Sequence, residues 1–404
     1  MDPLNAHNAF ALDLYRAISE ANTGRNFLLS PISIFATLSM ILPGARKQTL
    51  DQLVSGMRLS EPGQKPLSAE SLAQLESSLG RMLSSAIPAG NAASSSKLSS
   101  SLQSANRAFI QAGMEVRPDF LTALRSSFKS EILSAEFAKD PEAERVRINN
   151  WVATVTKDKI PELLKSGSVD PLTRLVLVNA LYFIANWSVP FDPRSTFDEP
   201  FELNASTAPV SVPMMHRTAN WPIVFVADVL TGVRFDFEDD NSGQRMSLLA
   251  VLPAERHGLD GLLAKMSQED WLRLVNDAGE SGKAAVSLPK IKLNSFTELS
   301  EAAYLPHLGF GKLFSNDADL SGIASTPGDL YVSSFAHQAA LEWDEFGAEG
   351  AAASAAAINT RMAPPRIAFD QPFAVIVSRE VATSDPVEND TVTAIAEEPS
   401  QTAH

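Results

Sequence analysis

A chain of 404 residues can bury a large core, and 45% hydrophobic with 20% charged residues excludes a disordered or collagen-like polymer. Its 33 basic residues are outnumbered by 48 acidic ones, a formal net charge of −15, so no nucleic-acid or other polyanion partner is expected, since these need a basic face. Cysteine is absent, which removes disulfides, a thiolate nucleophile and cysteine metal sites.

Met1 to Leu14 carries no basic stretch followed by an apolar one, so no signal peptide is visible, and no run of about 18 apolar residues indicates a membrane partner. Cytoplasmic and secreted locations both stay open. From Ala9 onward, apolar residues recur at helical spacing. Ser30-Pro31, a capping serine before a proline at the first helical position, opens a second helix that ends near Pro43-Gly44. Residues 87–104, with Pro88, Gly90 and a serine-rich tract, predict a flexible connection. The basic pairs Arg145/Arg147 and Lys290/Lys292 are short and flanked by acids or apolar residues, as in solvated faces or local ion pairs.

After Arg174 the pattern changes. Leu175 to Phe183 is nearly continuous apolar sequence, as in a strand buried on both faces. Val233 to Phe237 alternates, and Ser247 to Leu252 and Ala284 to Leu293 are further strand candidates. Helices followed by strands with helices between them imply an α+β fold with large sheets.

No familiar catalytic pattern occurs. No two of the 20 glycines lie four apart, which forbids a G-x-S-x-G elbow, and there is no G-x-G-x-x-G or P-loop. The six histidines, His7, His216, His257, His307, His337 and His404, are scattered without H-E-x-x-H spacing, so neither a metal nor a cofactor is expected.

The unusual segment is 345–366. Read locally, Ala351 to Ala357 is a surface helix or low-complexity linker, because alanine is the best helix former. Its context points elsewhere. Asn26-Phe27-Leu28-Leu29-Ser30-Pro31-Ile32-Ser33-Ile34 followed by Gly44-Ala45, then Asn179-Ala180-Leu181-Tyr182-Phe183 with Trp187 and Pro190-Phe191, resemble signatures of the serpin family. So do Val212 to Met215, Leu288-Pro289-Lys290, Asp319 to Ile323, Val332 to Ala339, and Phe369 to Phe373, all in family order.

The resemblance implies a single domain over 1–404, a serpin fold of three β-sheets and eight or nine helices, and an exposed reactive-centre loop at about 345–366. It implies an inhibitor and not an enzyme. The target's serine attacks a bait bond, and the cleaved loop inserts into the main sheet while still acylated to the protease, which it drags and distorts. Loop insertion by serpins is a general example of strand addition and of stored strain. In inhibitory members the cleaved bond lies fourteen residues after a hinge glycine. Arg361 stands fourteen after Gly347, and Pro364-Pro365 begins two after Met362, where the family has its prolines. Both anchors select Arg361–Met362, and an arginine bait implies a trypsin-like serine protease as the covalent partner. The chain is expected to act as a monomer.

The hinge is Glu345, Gly347, Ala348, Glu349, Gly350, Ala351, Ala352, Ala353 and Ser354. Insertion needs small side chains and free backbone donors, and no proline occurs between Ala348 and Arg361. Alternation places Ala348, Gly350, Ala352, Ser354, Ala356 and Ile358 on one face and Glu349 on the other. By resemblance, Ser30, Ser33, Asn179 and His337 form the cluster that controls sheet opening, while Trp187 and Lys290, with Glu345, sit where the loop first enters. Three features depart from the family: Ala348 stands for a hydroxyl residue, Phe346 for an acidic one, and the end of the chain lacks Phe-x-Gly. Between Leu67 and Ile87 the only base is Arg81, so heparin activation is not expected. The alternative from another class is a non-inhibitory serpin-fold chaperone, carrier or storage protein, whose hinge would carry charges, prolines or bulky groups.

Overall fold

The apolar run after Arg174 becomes the strand Leu175–Ala185, third of five in a sheet. The structure, a computed structural model, describes residues 2–60, 68–86, 100–238, 245–277, 279–324, 330–347, 364–379 and 395–397. In the five-stranded sheet, Ile291–Glu298 pairs antiparallel with Val332–Trp343, and Val332–Trp343 pairs parallel with Leu175–Ala185. Ser100–Gln111 follows antiparallel, and Ile132–Ala135 closes the edge. Ser100 to Ser104, expected within a flexible connection, are therefore strand: cross-strand pairing to Ala185–Leu181 overrides their serine-rich composition.

The continuous apolar character of Leu175–Ala185 follows from its two covered faces. Leu175, Leu177, Leu181 and Phe183 enter the main core, which also holds Ile32, Ile34 and Phe35 of the helix Pro31–Ser39. Val176, Val178, Ala180 and Tyr182 enter a second core with Ile148 and Val152 of the helix Pro141–Val155 and with Ile160, Leu163 and Leu164 beyond it. That helix, capped by Asp140 accepting from the Ala143 N–H at 3.0 Å, and the segment after it thus form a strap above the parallel pair.

The second sheet has nine strands. Val210–Val226, at seventeen residues, explains why. Its first part pairs with Thr196–Phe201, its middle with Glu280–Pro289 and its end with the strand Leu230–Asp236. Two of the three expected sheets are thereby joined into one hydrogen-bonded network. Eight α-helices lie among the described residues, and none of them is long and apolar enough to cross a membrane. The last strand survives as Ile395–Glu397 despite its departure from the family ending, pairing with Ala374–Ile376. The basic pairs are locally neutralised: Arg145 binds Glu142 and Glu162, Arg147 binds Glu144, and Lys292 approaches Glu342 at 3.7 Å.

Asn149 holds the strap together. Its side-chain oxygen accepts from the Leu163 and Leu164 N–H groups at 3.1 and 2.8 Å, and its amide donates to the Leu164 carbonyl at 2.9 Å. Asn149→Ala would leave the buried Leu163 and Leu164 N–H groups unpaired, while the Leu164 carbonyl keeps Arg145 at 2.7 Å, at a cost of about 3 kcal/mol. The urea midpoint should fall accordingly, and an unchanged midpoint would show the strap to be held otherwise.

Candidate functional site

Two groups of side chains flank the seam between Val332–Trp343 and Leu175–Ala185, one beneath it and one at its end. Beneath it, Asn179 and His337 are cross-strand partners, and both are fully buried. The Ser30 N–H donates to His337 Nε2 at 3.3 Å, which fixes the tautomer: Nδ1 carries the proton and donates to Asn179 Oδ1 at 2.5 Å. Ser33 Oγ donates to the same oxygen at 3.0 Å. The Asn179 amide donates to Thr37 Oγ1 at 3.2 Å and to Asn106 Oδ1 at 2.8 Å. The structure thus brings Ser30, Ser33, Asn179 and His337 together and adds Thr37 and Asn106. Thr37 lies one helical turn after Ser33 and was within reach of a periodicity argument. Asn106, 73 residues before Asn179 in the chain, carried no local signal.

Burial lowers the His337 pKa to about 3. The geometry agrees, because a protonated Nε2 would face the Ser30 N–H, donor against donor.

At the end of the seam the chain leaves Val332–Trp343 through a closed turn. The Asp344 N–H donates to the Gly347 carbonyl at 2.9 Å, the Gly347 N–H returns to the Asp344 carbonyl at 3.3 Å, and the Phe346 N–H donates to Asp344 Oδ1 at 2.8 Å. Gly347 also bridges antiparallel to Asn186, so it touches the continuations of both seam strands. Its φ of +114° is a glycine conformation, and a Cβ there would lie 2.3 Å from the Ala185 carbonyl oxygen.

The Trp187 N–H donates to the Phe346 carbonyl at 2.9 Å, its indole N–H to the Asp344 carbonyl at 2.8 Å, and the Phe191 N–H to the Glu345 carbonyl at 2.7 Å. Trp187 is itself stacked on Phe237 with centroids 4.8 Å apart. Glu345, 5% exposed, receives Lys290 Nζ at 2.7 Å and the Thr196 hydroxyl at 2.7 Å. Burial alone would raise its pKa, but the hydrogen bonds from Lys290 and Thr196 hold the carboxyl below its usual range. Thr196 was missed in the sequence because nothing local to it points to Glu345, 149 residues away. Phe346 is half-buried and contributes its backbone to the turn.

Ala348, Glu349, Gly350, Ala351, Ala352, Ala353, Ser354 and the bond Arg361–Met362 lie outside the described residues. The chain resumes at Pro364, and Arg366–Ala368 pairs parallel with Glu280–Pro289. No cluster of potential metal ligands occurs among the described residues.

Residues 5–385, which include the closed seam, the turn at its end and the polar cluster beneath it, match the family model Serpin (serine protease inhibitor). The chain belongs to the serpin family. It is 33% identical over 394 residues to the leukocyte elastase inhibitor of Bos taurus, covering 95% of this chain and 97% of that one. Solved structures with the same fold include uncleaved ovalbumin, at TM-score 0.80 and 24% identity over 98% of this chain and 99% of that one. Human thyroxine-binding globulin complexed with thyroxine matches at TM-score 0.79 and 26% identity, with 98% of each chain covered. The family and the elastase-inhibitor relative support protease inhibition in general.

Two outcomes test this geometry. His337 binds its proton near pH 3 when folded and near 6.5 when unfolded, so below pH 6.5 the unfolded state holds the extra proton and stability falls as the pH drops toward 3. The slope from this residue is up to ~1.4 kcal/mol per pH unit. Urea titrations of wild type and His337→Gln should differ by that slope, and parallel pH profiles would contradict the buried neutral tautomer. Gly347→Ala should break the turn and speed hydrogen exchange at the Trp187 amide by on the order of tenfold or more. An unchanged exchange rate would mean the turn does not hold that amide.

Proposed function

We propose that the chain is a covalent, loop-inserting inhibitor of trypsin-like serine proteases that is cleaved after Arg361. The observation that carries the reading is the position of Gly347, bonded at once to Asp344 and paired with Asn186 at the end of a closed seam. A strand continuing from it would run antiparallel between the two seam strands.

That register can be followed. Seven residues on from Gly347 is Ser354, seven back from Asp344 is His337, and seven back from Asn186 is Asn179. Ser354 would enter between the two polar groups that close the seam and bring a hydroxyl to replace their mutual bond. Cross-strand partners share a face, so Ala348, Gly350, Ala352, Ala356 and Ile358 would point with Ser354 into the main core. Small side chains suit that side. Glu349 would fall opposite Glu342, whose carboxylate already has Lys159 and Lys292 at 3.7 Å.

Fourteen residues at about 3.3 Å each would carry an acylated protease roughly 45 Å. A dozen new ladder bonds at a net ~1 kcal/mol each supply on the order of 10 kcal/mol, comparable to the stability of a typical domain. The bovine relative is named for elastase; the arginine at 361 directs this chain to a protease whose specificity pocket carries a carboxylate.

Incubation with trypsin should give a band at the summed mass on a denaturing gel. Arg361→Glu should lower the rate of complex formation by on the order of 100-fold or more, because a carboxylate would be buried against another. Arg361→Val should shift complex formation toward elastase. A trypsin complex that survives Arg361→Glu would place the bait elsewhere. A cut loop with no complex and no gain in thermal stability would leave the carrier or storage reading.

A further inference from the structure

The outer edge of Ser100–Gln111 is paired with Ile132–Ala135 only from Ala108 onward. Just ahead of that point lies a cleft of about 410 Å³, lined by Asn106, Arg107, Arg125, Lys129, Ser130 and Glu131. The chain reaches it from the helix Pro118–Ser127, with Lys129 in the left-handed region at φ 47° and the Ser130 N–H bonded back to the Leu124 carbonyl at 3.2 Å.

Three cations share this cleft with one carboxylate, in a chain that is acidic as a whole. Glu131 is taken by Arg107 at 3.1 Å. Arg125 and Lys129 form no ion pair among the described residues. Burial and the like charge of Arg147 push the Arg107 guanidinium below its usual range, with Glu131 offsetting only part of that cost, and an anion would relieve more of it. The two hydroxyl and amide groups, of Ser130 and Asn106, add neutral donors. A net charge of −15 argues against a long polyanion across the surface; it does not govern a single ion in a locally positive cleft.

The cleft is connected to the seam by two adjacent residues. Asn106 accepts the hydrogen bond of Asn179 at 2.8 Å, inside the cluster beneath the seam. Arg107 places its guanidinium 4.4 Å from the ring centroid of Trp151, on the strap above the seam. We propose that this cleft binds a small tetrahedral oxyanion of the phosphate class between Arg107, Arg125 and Lys129, and that the bound ion slows opening of the seam. The ion would fix Arg107 under Trp151 and tie Ser100–Gln111 to the 125–131 connection. Binding tighter to the closed than to the open arrangement shifts the balance toward the closed one. The regulatory half rests on the inhibitory reading above; the binding half does not.

Isothermal titration of inorganic phosphate into the full chain, with ionic strength held by sodium chloride, should show one saturable site. Sulfate should compete for it and planar nitrate should not. Arg125→Ala/Lys129→Ala, with an unchanged circular dichroism spectrum, should weaken phosphate at least ~10-fold, as for the loss of two charge-assisted contacts. Saturating phosphate should slow trypsin trapping about threefold in the wild type and leave the double variant unaffected. No saturable heat, or equal binding by both chains, overturns the site, and binding without a change in trapping rate overturns the coupling. If neither chain traps trypsin, titration still decides the site, and the failure belongs to the inhibitory reading alone.

Discussion

Everything in this molecule turns on one pairing, the parallel contact of Val332–Trp343 with Leu175–Ala185 in a sheet whose neighbouring pairings on both sides are antiparallel. Parallel ladders are slightly less stable per residue than antiparallel ones. A strand of opposite direction placed between these two would replace one parallel ladder by two antiparallel ones. The closed sheet therefore satisfies its own hydrogen bonds while leaving a better arrangement available. What would oppose that arrangement lies above and below the seam. Asn149 and the apolar face of the strap cover one side, and the hydrogen bonds of Asn179 and His337 tie the other.

The end of the seam is built to hold a strand's first residue and no more. Gly347 sits between Asp344 and Asn186 because nothing larger than hydrogen fits there at its φ. Trp187 holds the turn through a backbone and an indole N–H, and Glu345 is anchored through Lys290 and Thr196. The turn is thus a fixed starting point from which register is already determined. In the proposed insertion a one-residue slip would send every loop side chain to the opposite face, so this anchor would also set Ala348, Ala352 and Ala356 toward the core.

Much of this was readable in the residues, for identifiable reasons. Leu175 to Phe183 advertises a strand covered on both faces because both faces are apolar, and Ser30-Pro31 marks a helix start by capping chemistry. The strand beginning at Ser100 was not readable, since its serines gain strand structure only from a partner 77 to 85 residues later. The union of two expected sheets depends on the length of Val210–Val226, which Pro213 and Pro222 disguise by interrupting the apolar pattern. Of the candidate site, Ser30, Ser33, Asn179, His337, Trp187, Lys290, Glu345 and Gly347 are legible through the family resemblance. Asn106 and Thr196 are not, because they enter through hydrogen bonds to residues distant in the chain, whereas Thr37 follows Ser33 at helical spacing.

The alanine tract poses the sharpest conflict between local preference and tertiary demand. Alanine favours helix over strand, so the segment after Gly347 brings no strand propensity of its own. Under the proposed mechanism that would be an advantage, because the loop would have to stay out of its sheet until it is cut. A run rich in valine or isoleucine would pair with any exposed edge, including that of a second copy. Alanine would instead leave the free energy of the proposed insertion almost entirely to the sheet, in the ladder bonds and in the antiparallel register available beside Gly347. The driving force would then sit in Val332–Trp343 and Leu175–Ala185, and the loop would need to supply only small side chains and unblocked N–H groups. A substitution inside the tract should consequently act through fit and through lost donors more than through propensity, whereas a substitution in the two seam strands alters the driving force itself.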